Sequence, residues 1–133
     1  MIESIDWNAV LIYWLEEADN ELKVTSDLFD KEDYSYSLFF GHLAIEKLLK
    51  GYYVKKFQKH APPIHNLERL AVSAELKMSD EQKESLIKIS SFNIEARYPD
   101  IKRSFRSRCT KEFTQKELSE IKEVYQWLMS MMK

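Results

Sequence analysis

Apolar residues recur every three or four positions along the first part of the chain, which is the period of one helical face. The segment from Asp6 to about Phe29 follows this pattern, with charged residues at most positions in between. The pattern predicts an amphipathic helix with Asp6 as its N-cap, because an Asp side chain accepts hydrogen bonds from the first free amides of a helix. The apolar face consists of Trp7, Val10, Leu11, Trp14, Ala18, Leu22 and Leu28.

A second helix is predicted from Lys31 or Tyr34 to Phe57, and its apolar residues cover most of its circumference. Polar residues hold one narrow sector, which Phe39 and Leu43 interrupt. A helix this apolar is either central in a bundle or shared between two subunits. Because a short bundle offers little surface to bury it, we expect a homodimer with Phe39, Leu43 or nearby aromatic residues at the interface.

The rest of the chain contains three further helix signals. Two prolines within residues 58–64 disfavour helix before them, so we expect a connection there and a short helix from about His65. The patterns Ser79-Asp-Glu-Gln82 and Thr114-Gln-Lys-Glu117 are capping boxes, which predict that helices begin at these points. Between Asn93 and Cys109 the helical pattern breaks around Pro99, so no helix is counted there.

The composition agrees with a helical protein. The chain has 133 residues with only 2 Gly and 3 Pro, fewer than the turns of a sheet protein need. We therefore predict an all-α fold, an antiparallel bundle of four to five helices, forming one domain over residues 1–133.

Several classes of protein are excluded by what the sequence lacks. The single Cys109 excludes an intramolecular disulfide and a multi-cysteine metal site, and we expect its thiol to be inert. No apolar run approaches the ~20 residues of a membrane span, and the acidic start is not a signal peptide, so a cytoplasmic protein is expected. His42 and Glu46 share a helix face but form an incomplete metal site. We predict no metal, no cofactor and no membrane partner.

The charge of the chain is unevenly distributed. Residues 97–111, here called the basic segment, hold six bases and one acid, whereas the remainder holds 14 bases and 21 acids. A basic region on an acidic body is typical of a protein with a phosphate-bearing ligand, and Arg predominates in it, which binds phosphate through two parallel hydrogen bonds. The equally open alternative is that these bases pair with acids of neighbouring helices.

Three stretches of the chain resemble bacterial and archaeal HEPN domains. Phe40-Gly-His-Leu-Ala-Ile-Glu-Lys-Leu-Leu-Lys50 and Pro62-Pro-Ile-His-Asn-Leu-Glu-Arg-Leu70 are similar to the first half of that family, and Phe92-Asn-Ile-Glu-Ala-Arg-Tyr-Pro-Asp100 is similar to the second half. The resemblance implies a bundle of four or five helices, usually dimeric, often encoded beside a minimal nucleotidyltransferase. It also implies that many relatives are metal-independent ribonucleases, several of them toxins restrained by that partner.

The active site implied by the resemblance is an Arg followed after four to six residues by a His. The His would act as acid or base at the ribose hydroxyl, and the Arg would stabilise the phosphorane charge. Counted from Arg97, the position of that His falls within residues 102–104, which contain no His. The first arginine of the chain is Arg69, beyond the last histidine, His65, so the motif is absent and enzymatic activity stays open.

Three functions follow as hypotheses. The first is a HEPN subunit that binds nucleotide or RNA and partners a minimal nucleotidyltransferase, with a toxin–antitoxin pair as one form of that partnership. Its alternatives are a metal-independent ribonuclease toxin, in which His42 or His65 acts with Arg97 in a non-standard active site, and a purely structural interaction module. For the first, Tyr98 would stack on a base and Asp100 would orient Arg97, unless these residues merely fix a loop. The candidate phosphate-binding residues are Arg97, Tyr98, Asp100, Lys102, Arg103 and Arg106.

Overall fold

The structure, a computed structural model, describes residues 4–132 apart from the side chains of Pro99 and Asp100. Over this range it contains six α-helices and no strand, which confirms the all-α prediction with one helix more than the four or five expected. The helices are α1 (Trp7–Asp30), α2 (Tyr34–Phe57), α3 (Leu67–Ser73), α4 (Asp80–Glu95), α5 (Pro99–Arg108) and α6 (Lys111–Ser130).

The beginnings of three helices are set by side chains next to them in the sequence. The Asp6 carboxylate accepts a hydrogen bond from the amide of Ala9, so α1 begins where predicted. Ser79 and Gln82 form the predicted capping box of α4. The short helix α3 begins after Asn66, whose side chain caps the amide of Arg69, rather than at His65.

The prediction was wrong for the region between Asn93 and Thr114. Residues of this region form α5, and Tyr-Pro is followed by a helix because proline is well suited to the first helical position. The final helix begins at Lys111 rather than at the Thr114 pattern, because the Thr110 hydroxyl accepts from the amide of Phe113 and supplies the N-cap. Thr114 itself is fully buried within α6.

The second helix is the centre of the bundle. The three-residue turn at residues 31–33 makes α1 and α2 an antiparallel pair, and α2 also contacts α3, α4, α5 and α6. The neighbouring helices bury most of α2 but leave Phe39 and Leu43 partly exposed. The apolar circumference reflects a central position, and a homodimer with Phe39 or Leu43 at its interface stays a prediction.

The core follows α2 and extends towards α5. The ring of Phe92 on α4 stacks on Phe105 of α5 with centroids 5.7 Å apart, and both side chains are buried. This contact fixes the short, polar helix α5 on the bundle. Within the described part of the chain, no helix is both long and apolar enough to cross a lipid bilayer.

Candidate functional site

The basic segment occupies α5 and the turn that precedes it. Arg97 and Tyr98 lie in this turn and are exposed, and the Arg97 Nη1 donates to the Asn93 side-chain oxygen at 3.4 Å. A guanidinium has five N–H donors, so this contact leaves most of them for a ligand. Tyr98 is 55% exposed, which makes its ring accessible for stacking. The side chain of Asp100 falls outside the description, so its role in orienting Arg97 stays a prediction.

Two bases of α5 converge on a tyrosine of α2. Lys102 and Arg106 are one helical turn apart, and they lie with Nζ 5.0 Å and the guanidinium carbon 5.9 Å from the ring centroid of Tyr36. The Lys102 ammonium, with a contribution from Arg106, lowers the pKa of the Tyr36 phenol. Tyr36 is 37% exposed. Its hydroxyl, the Lys102 ammonium and the Arg106 guanidinium are three hydrogen-bond donors that lie close together at the surface.

The bases of this segment are largely free of acidic partners. Among the side chains that the structure describes, one member forms an ion pair: Arg108 donates to the Glu95 carboxylate at 2.8 Å. Arg108 also lies over the rings of Phe105 and Phe113, so it fixes the end of α5 to the bundle. The alternative that the bases pair with acidic helices therefore applies to Arg108 and not to the other described bases.

A pocket of about 370 Å³ opens next to Tyr36, between the α1–α2 turn and α5. We call it the turn pocket. Glu32, Asp33 and Ser35 line one side, and Arg106 and the buried Cys109 line the other. Burial raises the pKa of the Cys109 thiol to about 11, so the thiol is protonated at neutral pH, in agreement with the prediction that it is inert.

The predicted catalytic histidines lie in a different part of the bundle, which we call the His–Glu cluster. His42, Glu46 and Lys50 follow one another on a single face of α2, and His65 joins them from the connection before α3. The Glu46 carboxylate accepts from the Lys50 ammonium at 3.0 Å, and His65 Nδ1 lies 3.1 Å from it. His42 and Glu46 are buried, whereas the His65 side chain is 61% exposed.

The protonation of His42 follows from its surroundings. Its Nε2 lies 3.1 Å from the backbone oxygen of His65, and since a carbonyl only accepts, this nitrogen carries the proton. Burial lowers the pKa of His42, so the ring is neutral at pH 7 and its Nδ1 holds a lone pair. This Nδ1 is buried and has no hydrogen-bond partner among the described residues. The ring holds the connection against α2 and has no surface with which to touch RNA.

The structure does not bring the predicted histidines to Arg97. The amide of Leu67, close to His65, donates to Ser90 within α4, whereas Arg97 lies in the turn after the end of that helix. In the described side chains, no contact joins His42 or His65 to Arg97. No group of three or more metal-ligating side chains in the described residues is arranged to hold a metal ion.

Sequence reasoning did not predict that Tyr36 and Ser35 line the turn pocket. Tyr36 fits the apolar pattern of α2, and nothing local distinguishes it from the core aromatic residues around it. Its position opposite Lys102 and Arg106 depends on α5 being a helix, which the pattern did not predict. One signal for this helix is present in the sequence. Pro99 suits the first helical position, and Lys102 and Arg106 follow four residues apart, so they would share one face of a helix.

The geometry defines an all-α bundle with a polar cluster inside and a cationic helix on its surface. The HEPN domain family model matches residues 12–131, and the chain therefore belongs to the HEPN domain family. The crystal structure of TT1696 from Thermus thermophilus has a similar fold, with a TM-score of 0.77 and 18% sequence identity, over 90% of this chain and 96% of that one. A comparison with curated proteins gave no match.

Proposed function

We propose that this protein is a binding subunit whose basic segment holds the phosphate groups of a nucleotide or an RNA. The observation that carries the proposal is the row of bases on α5 and its preceding turn with no carboxylate partner among the described side chains, apart from Arg108. An arginine that has no carboxylate partner among the described side chains and stands next to an exposed aromatic ring is suited to a phosphate and a base together. Membership of the HEPN family supports the same function.

The test is to replace Arg97 and Arg103 with Ala and to measure the binding of a fluorescent single-stranded RNA and of AMP. Each lost charge-assisted contact should cost about 1–3 kcal/mol, which is about 5- to 150-fold in Kd. The melting temperature should change little because both side chains are exposed and have no carboxylate partner among the described side chains. Binding of RNA should weaken with added salt, since phosphate contacts release counterions.

Arg108→Ala is the matched control, because the same charge is removed from a residue that pairs with Glu95. This variant should lower the melting temperature and leave binding unchanged. Binding that survives the Arg97 and Arg103 substitutions, together with a marked loss of stability, would show that the basic segment only supports the fold.

We infer further that a minimal nucleotidyltransferase is the protein partner of this subunit, in the manner of a toxin–antitoxin pair. The support is the family resemblance alone. Co-purification of the tagged chain from its native host tests this pairing, with an unrelated tagged helical protein as the control. Recovery of the chain without a nucleotidyltransferase would contradict it.

The ribonuclease alternative is not favoured by the geometry, because His42 is buried and the described contacts leave both histidines away from Arg97.

A further inference from the structure

The His–Glu cluster holds one exposed ring by means of three buried polar side chains. His42, Glu46 and Lys50 are buried on α2, whereas the side chain of His65 is 61% exposed. Burial of a charged or polar group lowers stability unless hydrogen bonds compensate for the lost water. The basic segment contributes no residue to the contacts of this cluster, so phosphate binding on α5 does not explain why the fold maintains it.

The ring of His65 is fixed in one tautomer while it is neutral. Its Nδ1 lies 3.2 Å and 3.1 Å from the two carboxylate oxygens of Glu46, and since a carboxylate only accepts, Nδ1 carries the proton. Nε2 then holds the lone pair. No hydrogen bond or ion pair between described residues involves this Nε2. Because the side chain is largely exposed, a reagent in solution can reach the lone pair.

The backbone at His65 is fixed as well. The Nε2 of His42 donates to the carbonyl oxygen of His65 at 3.1 Å, and two residues later the amide of Leu67 donates to the hydroxyl of Ser90 on α4 at 3.1 Å. Asn66, between them, caps α3. The connection before α3 is therefore attached to two helices close to His65, and its ring is held in place before any ligand arrives.

Glu46 is the group that makes this ring reactive. An imidazole gains positive charge when its Nε2 attacks an electrophile, and a carboxylate that accepts from Nδ1–H stabilises that charge. Glu46 is only 4% exposed, so water screens the interaction little. Lys50 donates to the same carboxylate at 3.0 Å and lies over the ring of Trp14, so Glu46 is in turn oriented by a third group, as in activated nucleophiles.

We propose that His65 is a phosphoryl-acceptor site, at which Nε2 takes a phosphoryl group from a donor that has a phosphorus–nitrogen bond. The lone pair of Nε2 forms the new N–P bond, the N–P bond of the donor breaks, and the donor nitrogen leaves with its electron pair. The Nδ1 proton stays on the ring next to Glu46. Since one N–P bond replaces another, the transfer needs no oxidant, reductant or further co-reactant.

The charge of the connection favours an anionic donor. Residues 58–66 contain one lysine, Lys59, and no Asp or Glu. Lys59 has no carboxylate partner among the described side chains. An approaching phosphoryl group therefore meets a positive charge and no negative charge within the connection that carries His65.

The experiment is incubation of the whole chain with potassium phosphoramidate, followed by phosphorus NMR and by mass spectrometry of peptides kept at alkaline pH. His60 is the matched control within the same chain, because it is exposed and packs against Trp7, with no carboxylate contact among the described residues. His65 should be phosphorylated at Nε2 about tenfold or more faster than His60.

Two comparisons separate an activated ring from an exposed one. Glu46→Gln keeps a hydrogen-bond acceptor but removes the charge, so it should slow labelling of His65 about tenfold or more and leave His60 unchanged. In urea, where the contacts of the fold are lost, the two histidines of the wild type should react at similar rates. This second comparison needs no variant, so it decides the question even where Glu46→Gln leaves Lys50 without its partner and prevents folding.

A cluster that only anchors the connection before α3 gives a different result. His65 and His60 would then react at similar rates with and without urea, and Glu46→Gln would lower the melting temperature without slowing the labelling. Phosphorylation of His65 at Nδ1 in the folded chain would also overturn the proposal. These outcomes are independent of the proposed function, because the binding of RNA and AMP by the basic segment requires no residue of the His–Glu cluster.

Discussion

His42 is an ionisable side chain placed where water does not reach it. Burial lowers its pKa below the ordinary value of 6.5, and the carbonyl of His65 and the carboxylate of Glu46 only partly oppose this effect. The unfolded chain therefore takes up a proton near pH 6.5 that the folded chain does not. Stability is unaffected by this group above about pH 7 and decreases as the pH falls below 6.5.

Replacement of His42 by Gln tests this linkage. Gln keeps a donor for the carbonyl of His65 but does not titrate. The variant should melt below the wild type at pH 7.5, because a side chain of different shape replaces a fully buried ring. The difference in melting temperature should narrow towards pH 5.5, because only the wild type loses stability through this ring. A difference that stays constant would show that His42 takes up a proton in the folded chain, and NMR titration of the ring checks the same point.

At the scale of elements, the helices that the sequence predicts well are those whose pattern reflects burial. The long helices α1 and α2 have local caps or continuous apolar faces, and Ser79 with Gln82 encodes the start of α4 within four residues. In contrast, α5 has few apolar residues among many charged ones, although these few recur at helical spacing. A search for long apolar faces misses such a helix, and buried Phe105 together with Arg108 holds it on the bundle.

The same limit applies to the candidate site. The bases of the segment were predictable from charge alone, and their exposure follows from the polar composition of α5. The place of Tyr36 beside Lys102 was not predictable, because it needs the position of α5 on α2. The shared environment of His42 and His65 also needed the fold, since the connection before α3 brings them together.

The contact between α2 and α6 depends on Gly41. A Cβ at this position would lie 2.7 Å from Cδ1 of Ile121, a fully buried side chain. Gly41→Ala gains about 1 kcal/mol of helix propensity, whereas displacement of a packed side chain costs about 1–3 kcal/mol. We expect the substitution to be neutral or destabilising by up to about 2 kcal/mol in urea unfolding.

Ile121→Val removes Cδ1, the atom that a Cβ at position 41 would meet at 2.7 Å. It therefore provides the second arm of a double-mutant cycle. In this background Gly41→Ala should stabilise the protein by about 0.5–1 kcal/mol, because the next atom of the side chain lies at an ordinary 3.5 Å. Equal effects in both backgrounds would show that the two positions are not coupled.

At the scale of the whole molecule, the homodimer with α2 at its interface stays a prediction, and a second exposed apolar surface offers another interface. Large apolar side chains are exposed along α4 and into α5 at spacings of seven, four and three residues. This row continues past the turn that holds Arg97, so a symmetric contact here would bring two basic segments close together. The row consists of Ile87, Ile94, Tyr98 and Ile101.

Sedimentation of the variant with Ile87→Glu and Ile94→Glu tests this interface. The wild type should sediment at about twice its 15.9 kDa mass, and the variant as a monomer, because four carboxylates would be buried in the symmetric contact. Ile12→Glu places the same charge on an exposed position of α1 and should leave the dimer intact. A wild-type monomer at high micromolar concentration contradicts the dimer.

The attachment of α5 through Phe105 has a consequence for hydrogen exchange. Because α2 contacts every other helix, we expect its amides to exchange only when the whole molecule opens, and we expect α5 to detach in a smaller opening. Amides of α5 should therefore exchange earlier than those of α2. If the bases of α5 hold a phosphate-bearing ligand as proposed, that ligand should slow exchange most strongly in α5. This amide-by-amide readout reports occupancy without any assay of activity.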